Sequence, residues 1–262
     1  MSPLKNVMVE AALAGSRVVL DVYERGAAVK EKADGSPVTE ADEKAEAAIL
    51  DVLHRGAATI PIIAEESVAG GQVPKASPIF FLVDPLDGTK EFVQRTGEFT
   101  VNIALIEDGV PAAGVVTVPA QGMLYFGDAT EAFRQRYDFA SGTAKGEEEM
   151  IAVRSAPDSG AIAMTSRSHG STETQAMLKR LGVTDVLPAG SSLKFCAIAE
   201  GRADLYPRLG RTMEWDTAAA HAVLRAAGGE VYVFDGQKRG PALAYGKEER
   251  GFDNPHFLAV GG

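Results

Sequence analysis

The run Ile79-Phe80-Phe81-Leu82-Val83 passes without a break into Asp84-Pro85-Leu86-Asp87-Gly88-Thr89, and this junction restricts the chain more than any other stretch. The apolar run predicts a short buried strand. It delivers two carboxylates at i and i+3, followed by a glycine and a hydroxyl that open a helix over Lys90-Glu91-Phe92-Val93. The proline limits the backbone between the acids, and Gly88 lets it come close to a ligand. Paired carboxylates at a strand's carboxyl end, facing a helix N-terminus, suit a hard cation beside a phosphate. The implied chemistry is metal-assisted phosphoryl transfer.

A different phosphatase design uses an aspartate nucleophile in an Asp-x-Asp-Gly-Thr segment, as in haloacid dehalogenase-type enzymes. Here Pro85 and Leu86 both lie between the acids. In a strand the added residue turns the second carboxylate to the opposite side. The spacing therefore disfavours a phospho-aspartyl enzyme and favours two acids that both ligate metal.

A chain of 262 residues can bury a substantial core as one large domain or two intimate ones. The formal charge of −10 argues against a nucleic-acid binder. It leaves an anionic small molecule open, because bound divalent cations reverse the local field. Cys196 is the single cysteine, so neither a disulfide framework nor a thiolate cluster is available, which fits a reducing cytoplasm. No apolar run reaches membrane-spanning length, and no signal-peptide core follows Met1, so integral membrane association is not expected.

Along the chain, residues 4–28 carry apolar residues at helical spacing. Residues 30–37 read as a polar loop, and Thr39-Glu40-Ala41-Asp42 reads as a helix start. Ile60 to Ile63 is a short strand ending at Glu65-Glu66. Phe99–Ile106 and Ala113–Val118 form a hairpin through Glu107-Asp108-Gly109, with a third strand over Met123–Phe126. The pattern dissolves around 138–149, which places an organisational boundary between an α+β part, residues 1–145, and an α/β part, residues 146–262, forming one compact unit. In the second part, strands are expected over 161–165, 203–206 and 230–234. Helices are expected over 172–181, 191–200 and 216–227, the last closed by Gly228-Gly229.

Acids recur where elements begin or end: Asp42, Glu65-Glu66, Asp84 with Asp87, and Asp216. Each except the Asp84–Asp87 pair has an ordinary structural explanation. Asp42 could complete a capping box with Thr39, Asp216 could cap the helix after it, and Glu65-Glu66 could be a solvated strand end.

Three segments together resemble the inositol monophosphatase superfamily, the lithium-sensitive, magnesium-dependent phosphatases. They are Ala64-Glu65-Glu66-Ser67, Asp84-Pro85-Leu86-Asp87-Gly88-Thr89 and Trp215-Asp216-Thr217-Ala218-Ala219, in the family's order and with long gaps between. Further segments resemble its bacterial 3′(2′),5′-bisphosphate nucleotidase branch: Lys32 to Thr39, Gly97 to Ala104, Ser166 to His169, Gly190 to Phe195 and Leu205 to Arg208. Ala64 and Ala220 stand where glycines are common, and neither change removes a ligand.

The resemblance implies the layered αβαβα sandwich shared with fructose-1,6-bisphosphatase. It implies two or three Mg²⁺ ions on Glu65, Asp84, the Leu86 carbonyl, Asp87 and Asp216, and an attacking water handled by Asp42 and Thr89 with support from Glu66. Inhibition by lithium is expected with it. The implied reaction is removal of the 3′-phosphate of adenosine 3′,5′-bisphosphate, with its sulfated precursor as a further option, in sulfur assimilation.

A substrate with two phosphates needs cations for the one the metals do not hold. Candidates are Gly88, Thr89, Ser166, Arg167, His169, Ser191, Ser192, Lys194 and Arg208, against an ordinary reading in which Ser191 caps a helix and Lys194 is solvated. Two alternatives stay open: an inositol or sugar monophosphatase of the same fold, and a non-catalytic nucleotide or lithium sensor. His54 and His256 read as surface residues, and His221 and Trp215 as packing near the site. The partner is a small bisphosphate nucleotide, not a nucleic acid, and a homodimer is one option. The expected location is the cytoplasm; relatives sometimes sit peripherally at the inner membrane, but no basic amphipathic segment here supports that.

Overall fold

A computed structural model describes residues 3–26, 29–31, 37–75, 77–155, 157, 160–166 and 172–262. Helix α1 (Pro3–Arg25) is followed by a ribbon of β1 (Val29–Glu31) and β2 (Pro37–Thr39), then by α2 (Glu40–Gly56). Eight strands come next: β3 (Ile62–Ala64), β4 (Ile79–Asp87), β5 (Thr100–Glu107), β6 (Val110–Val118), β7 (Met123–Gly127), β8 (Ala132–Asp138), β9 (Thr143–Ala144) and β10 (Glu149–Met150). They form one sheet in the order β10-β8-β7-β6-β5-β4-β3, with β9 paired to β8. Short helices α3 (Glu65–Ala69) and α4 (Thr89–Val93) follow β3 and β4 directly.

The remainder supplies a second sheet from β11 (Ala161–Thr165), β12 (Val183–Pro188), β13 (Leu205–Arg208), β14 (Glu230–Phe234), β15 (Arg239–Ala242) and β16 (Phe257–Val260). Its order is β12-β11-β13-β16-β14-β15. Helices α5 (Thr172–Arg180), α6 (Leu193–Ala199) and α7 (Ala218–Ala226) complete the chain's main elements.

Alternation along the strands explains the layering. On β4 and β5, Phe81, Val83, Val101, Ile103 and Leu105 face α1 and α2, joining Met8, Val19, Ile49 and Leu53 in one core. Phe80, Leu82, Ala104 and Ile106 face the other way, into a core shared with α6, α7 and the inner face of the second sheet. The outer face of that sheet packs Ala163, Leu205 and Leu258 against Met177 and Leu178 of α5. The result is the αβαβα sandwich, helices and sheets in alternating layers.

Close contact in the middle depends on small residues. A Cβ at Gly114 on β6 would lie 2.1 Å from the carbonyl oxygen of Ala219, so α7, with Ala218, Ala219, Ala220 and Ala222 buried, lies almost directly on the sheet.

Several boundaries differ from the sequence expectation. The polar segment at 30–37 borders a two-stranded ribbon, and residues 32–36 lie outside the described residues. The helices expected from 191 and 216 begin at Leu193 and Ala218, because Ser191 has a left-handed backbone (φ +51°) and Asp216 sits in the preceding turn. Strands β8, β9, β10, β12, β15 and β16 were not read from the sequence at all. On β12, for example, the exposed polar Thr184 and Asp185 leave no alternation to read. Among the described residues no helix is long and apolar enough to cross a membrane.

Candidate active site

Strands β3 and β4 are the parallel pair of the first sheet, in register at Ile62 with Phe81, Ile63 with Leu82 and Ala64 with Val83. The next residues on the two strands are Glu65 and Asp84. Parallel pairing thus delivers two carboxylates side by side at the carboxyl edge of the sheet, where ligands of α/β folds collect.

The spacing of Asp84 and Asp87 requires a correction. In an unbroken strand, residues at i and i+3 face opposite ways, as the sequence reading supposed. Here Asp84 pairs with Asn102 and Asp87 with Thr100, so Pro85 and Leu86 stand opposite Val101 alone. This β-bulge inserts one residue and brings both acids to the same side. The strand therefore does not separate them, and opposed orientation cannot be the reason to exclude a nucleophilic aspartate. Gly88 follows with φ +90°, and a Cβ there would meet the Glu98 carbonyl at 3.2 Å. A glycine is required by this turn before any ligand is considered.

Asp42 does two jobs at once. Its Oδ2 accepts the Thr39 N–H and Thr39 hydroxyl, each at 2.8 Å, completing the capping box of α2. Its Oδ1 accepts the Thr89 hydroxyl at 3.2 Å. Capping and site chemistry were alternatives in the sequence; in the fold one buried carboxylate caps α2 and also holds the Thr89 hydroxyl.

Asp216 does not cap α7, where Thr217 occupies the cap position. It closes a turn by accepting the Met213 N–H at 2.8 Å. Glu214, fully buried, braces that turn by accepting the Gly246 and Lys247 amides (2.6 and 2.9 Å) and pairing with the Lys247 ammonium at 2.5 Å.

The acids strain against one another. Withdrawal from water, then the Glu65, Asp87 and Asp216 carboxylates, push Asp84 well above the usual range. Withdrawal from water, then Asp87 and Glu65, do the same for Asp216, with Arg208 opposing. Asp87 is raised by desolvation, against the Ser191 hydrogen bond and the Lys194 charge. Each of the three aspartates has an oxygen on a protein donor: Asp84 on the Leu86 N–H at 2.9 Å, Asp87 on the Ser191 hydroxyl at 2.5 Å, Asp216 on Met213. Among the described residues no three His, Cys, Asp or Glu side chains close tightly enough to hold one ion between them. Glu66 begins the same short helix as Glu65.

The second sheet repeats the parallel device. Strands β11 and β13 run parallel with Ala163 opposite Leu205, so Ser166 and Arg208 leave together, and the Arg208 guanidinium donates to the Ser166 hydroxyl at 3.1 Å. A cavity of about 230 Å³ lies between the two sheet ends, lined by Asp87, Gly88 and Asp216 together with Ser166, Ser191, Lys194 and Arg208; Ser191 is bonded directly to Asp87. Among the described residues, the buried Arg208 Nε has no hydrogen-bond partner.

Lys194 is not solvated. It is 5% exposed, donates to the Ala189 and Ser191 carbonyls, and lies over the Tyr206 ring at 5.2 Å. Ser192 is also buried, its hydroxyl on Asn102 at 2.7 Å and near Thr100 at 2.9 Å. Arg167 and His169 lie outside the described residues.

The sequence reading missed Lys90, Tyr206 and Thr212 in the cavity wall, the Thr100–Asn102 pair beneath Ser191 and Ser192, and Glu46. For Glu46 a signal existed, since it lies one helical turn after Asp42.

His54 and His256 are exposed. Trp215 packs on Phe252. His221 is buried between the Tyr245 hydroxyl (2.9 Å) and the Glu230 carboxylate (2.5 Å), and Tyr245 reaches Thr217 of the cavity wall at 3.3 Å. Burial holds the imidazole below its ordinary 6.5, outweighing the pull of Glu230. A buried neutral histidine resists protonation that the unfolded chain accepts, so stability is lost as pH falls from about 6.5 toward the lower folded value. Urea midpoints of the wild type should therefore drop between pH 7.5 and 5.5 more than those of His221→Gln. Equal drops would show that the ring does not titrate in that window.

A sequence model of the inositol monophosphatase family matches residues 1–255. The chain is similar to the 3′(2′),5′-bisphosphate nucleotidase CysQ of Escherichia coli K12, at 43% identity over 229 residues and 87% of each chain. It is 30% identical to CysQ of Haemophilus influenzae, over 98% of this chain and 93% of that one. Its fold superposes on the crystal structure of CysQ from Bacteroides thetaiotaomicron with a TM-score of 0.78 and 38% identity, covering 97% of this chain and 96% of the other. With its acid-bearing strand ends, bulged Asp84–Asp87 turn and five-layer sandwich, the chain belongs to the inositol monophosphatase family.

Proposed function

We propose that the protein is a Mg²⁺-dependent 3′(2′),5′-bisphosphate nucleotidase that hydrolyses the 3′-phosphate of adenosine 3′,5′-bisphosphate, using two or three ions per site. The observation that carries this reading is the mixed lining of one cavity: the Asp87 and Asp216 carboxylates together with Ser166, Lys194 and Arg208. An inositol monophosphate has no second phosphate for that basic set. The similarity to CysQ nucleotidases points the same way.

The donor set fits hard divalent cations. It consists of oxygens only, and the acids raise one another's pKa in a way that added positive charge would relieve. Glu65, Asp84, the Leu86 carbonyl, Asp87 and Asp216 would hold the ions, which when bound would supply charge neutralisation and lower the pKa of a water so that it can lose a proton and act as the nucleophile toward phosphorus.

The chain's own residues do the rest. The Thr89 hydroxyl lies 3.2 Å from Asp42 Oδ1 and 3.4 Å from the Leu86 carbonyl; donating its single proton to Asp42 leaves its lone pairs to accept a hydrogen bond from, and thereby orient, the attacking water. Arg208, anchored by Ser166 and the Arg211 carbonyl, offers the remaining N–H donors of its two terminal nitrogens to the second phosphate. Lys194 holds the Ala189–Ser191 turn against that cavity while tempering the Asp87 charge. Cys196 is buried and its thiol is pushed far up by burial, so no thiolate chemistry competes. A cytoplasmic location accords with that unpaired thiol.

Side-by-side rates on adenosine 3′,5′-bisphosphate and inositol 1-phosphate test the proposal, and preference for the inositol ester would overturn it. Arg208→Gln should raise KM for the bisphosphate about ten- to a hundredfold. A charge-assisted hydrogen bond contributes roughly 1.5–3 kcal/mol, and each 1.4 kcal/mol is about tenfold. Turnover of a simple monophosphate ester should change little; an equal loss on both would remove the argument for a second phosphate site.

A further inference from the structure

We propose that Glu46 is a positioning residue that holds the metal-ligating Glu65 in place. Glu46 lies on α2 one turn beyond Asp42 and is 5% exposed. Its Oε2 accepts the Glu66 N–H at 2.7 Å, and its Oε1 accepts both the Ser67 N–H at 2.8 Å and the Ser67 hydroxyl at 2.5 Å. Helix α3, which begins at Glu65, has only five residues, and Ala64 at its cap position provides no side-chain cap.

A helix this short does not hold itself together, and its first amides need acceptors. Glu46 supplies them from another helix. The same face of α2 therefore sets two parts of the site: Asp42 orients Thr89, and Glu46 fixes the turn that carries Glu65. Because α2 packs firmly against α1 and β4 through Ala41, Ala45, Ile49 and Leu53, the clamp transmits rigidity from the core to a ligand at a strand end.

The inference rests on the reading of Glu65 as a metal ligand, and its test separates the two. In Glu46→Gln, one oxygen can still serve Ser67, but the amide nitrogen presents a donor to the Glu66 N–H. Partners of this kind are worth about ten- to a hundredfold in metal affinity. Calorimetric titration of the metal-free proteins with Mg²⁺ alone should show that loss. KM for the bisphosphate, measured at saturating Mg²⁺, should stay unchanged, and kcat should return to within a few-fold of wild type. A merely structural clamp would lower the melting temperature without moving Mg²⁺ affinity.

Wild-type Mg²⁺ affinity in folded Glu46→Gln overturns the role of Glu46 and leaves the functional reading intact. Failure of the wild type itself to bind Mg²⁺ overturns both. Should Glu46→Gln not fold, Ser67→Ala carries the test: it removes one of the three bonds and should weaken Mg²⁺ binding by roughly two- to fivefold, and no change would overturn the proposal.

Discussion

Asp84→Asn is expected to abolish phosphate release while making the metal-free protein more stable. Asp84 is 1% exposed, and its carboxyl is pushed well above 3.8 by burial and by Glu65, Asp87 and Asp216. An acid whose folded pKa is raised stabilises the protein only where it is protonated. That contribution is fully present below the ordinary value and is lost as pH rises through the folded value. Without metal, the wild type is therefore destabilised by its carboxylate cluster as pH rises above the ordinary carboxylate range.

Asparagine removes one charge and keeps an oxygen for the Leu86 N–H. Relief of this kind at functional sites commonly amounts to about 0.5–2 kcal/mol, or a few degrees in Tm for a chain of this length. Activity should fall at least about a thousandfold, since metal-ion stabilisation is worth several kcal/mol and each 1.36 kcal/mol is roughly a factor of ten. Thermal unfolding in EDTA and phosphate release with Mg²⁺ check the two halves. A metal-free Tm at or below wild type would show that the cluster is not electrostatically strained.

Thr89→Ala should lower kcat by about a hundred- to ten-thousandfold, the range expected for a group that positions or deprotonates the nucleophile, with KM nearly unchanged. The reason is geometric: Thr89, at the start of α4 between the cavity-lining Gly88 and Lys90, places its hydroxyl 3.2 Å from Asp42 Oδ1. Thr89→Ser keeps the hydroxyl and should retain activity within about tenfold. If both variants lose activity equally, the methyl group and its packing matter and the water-orienting role fails. A rise in KM at constant kcat would instead assign Thr89 to ground-state phosphate binding.

Much of the site was legible because its signals are local. An apolar run ending in Asp-Pro-Leu-Asp-Gly-Thr reads as strand, turn and helix start from side-chain chemistry alone, and β4 and α4 lie there. Thr39 with Asp42 reads as a capping box, and one exists. Sequence reasoning went wrong where the answer depended on a neighbour. The side to which Asp87 points is set by how β4 pairs with β5, since the bulge exists only relative to Val101. The ordinary reading of Lys194 as a solvated side chain failed, because the side chain is buried over Tyr206 while still lining the cavity. Glu46 has no part in the sequence reading, because its partners lie some twenty residues further along the chain.

By itself the sequence determined the chemical vocabulary: oxygen ligands without thiolates, two acids beside a helix-opening hydroxyl, and basic and hydroxyl residues held for the second half of the chain. These follow from composition and short-range stereochemistry, which need no partner strand. Only the tertiary structure decided that Glu65 and Asp84 emerge in register from one parallel pair, that Ser166 and Arg208 do so from another, and that Asp87 at the end of β4 lines the same cavity as Ser166 and Arg208. Strand register is a property of two segments and the layers that cover them, and so are the charge repulsions that a shared edge forces on these acids.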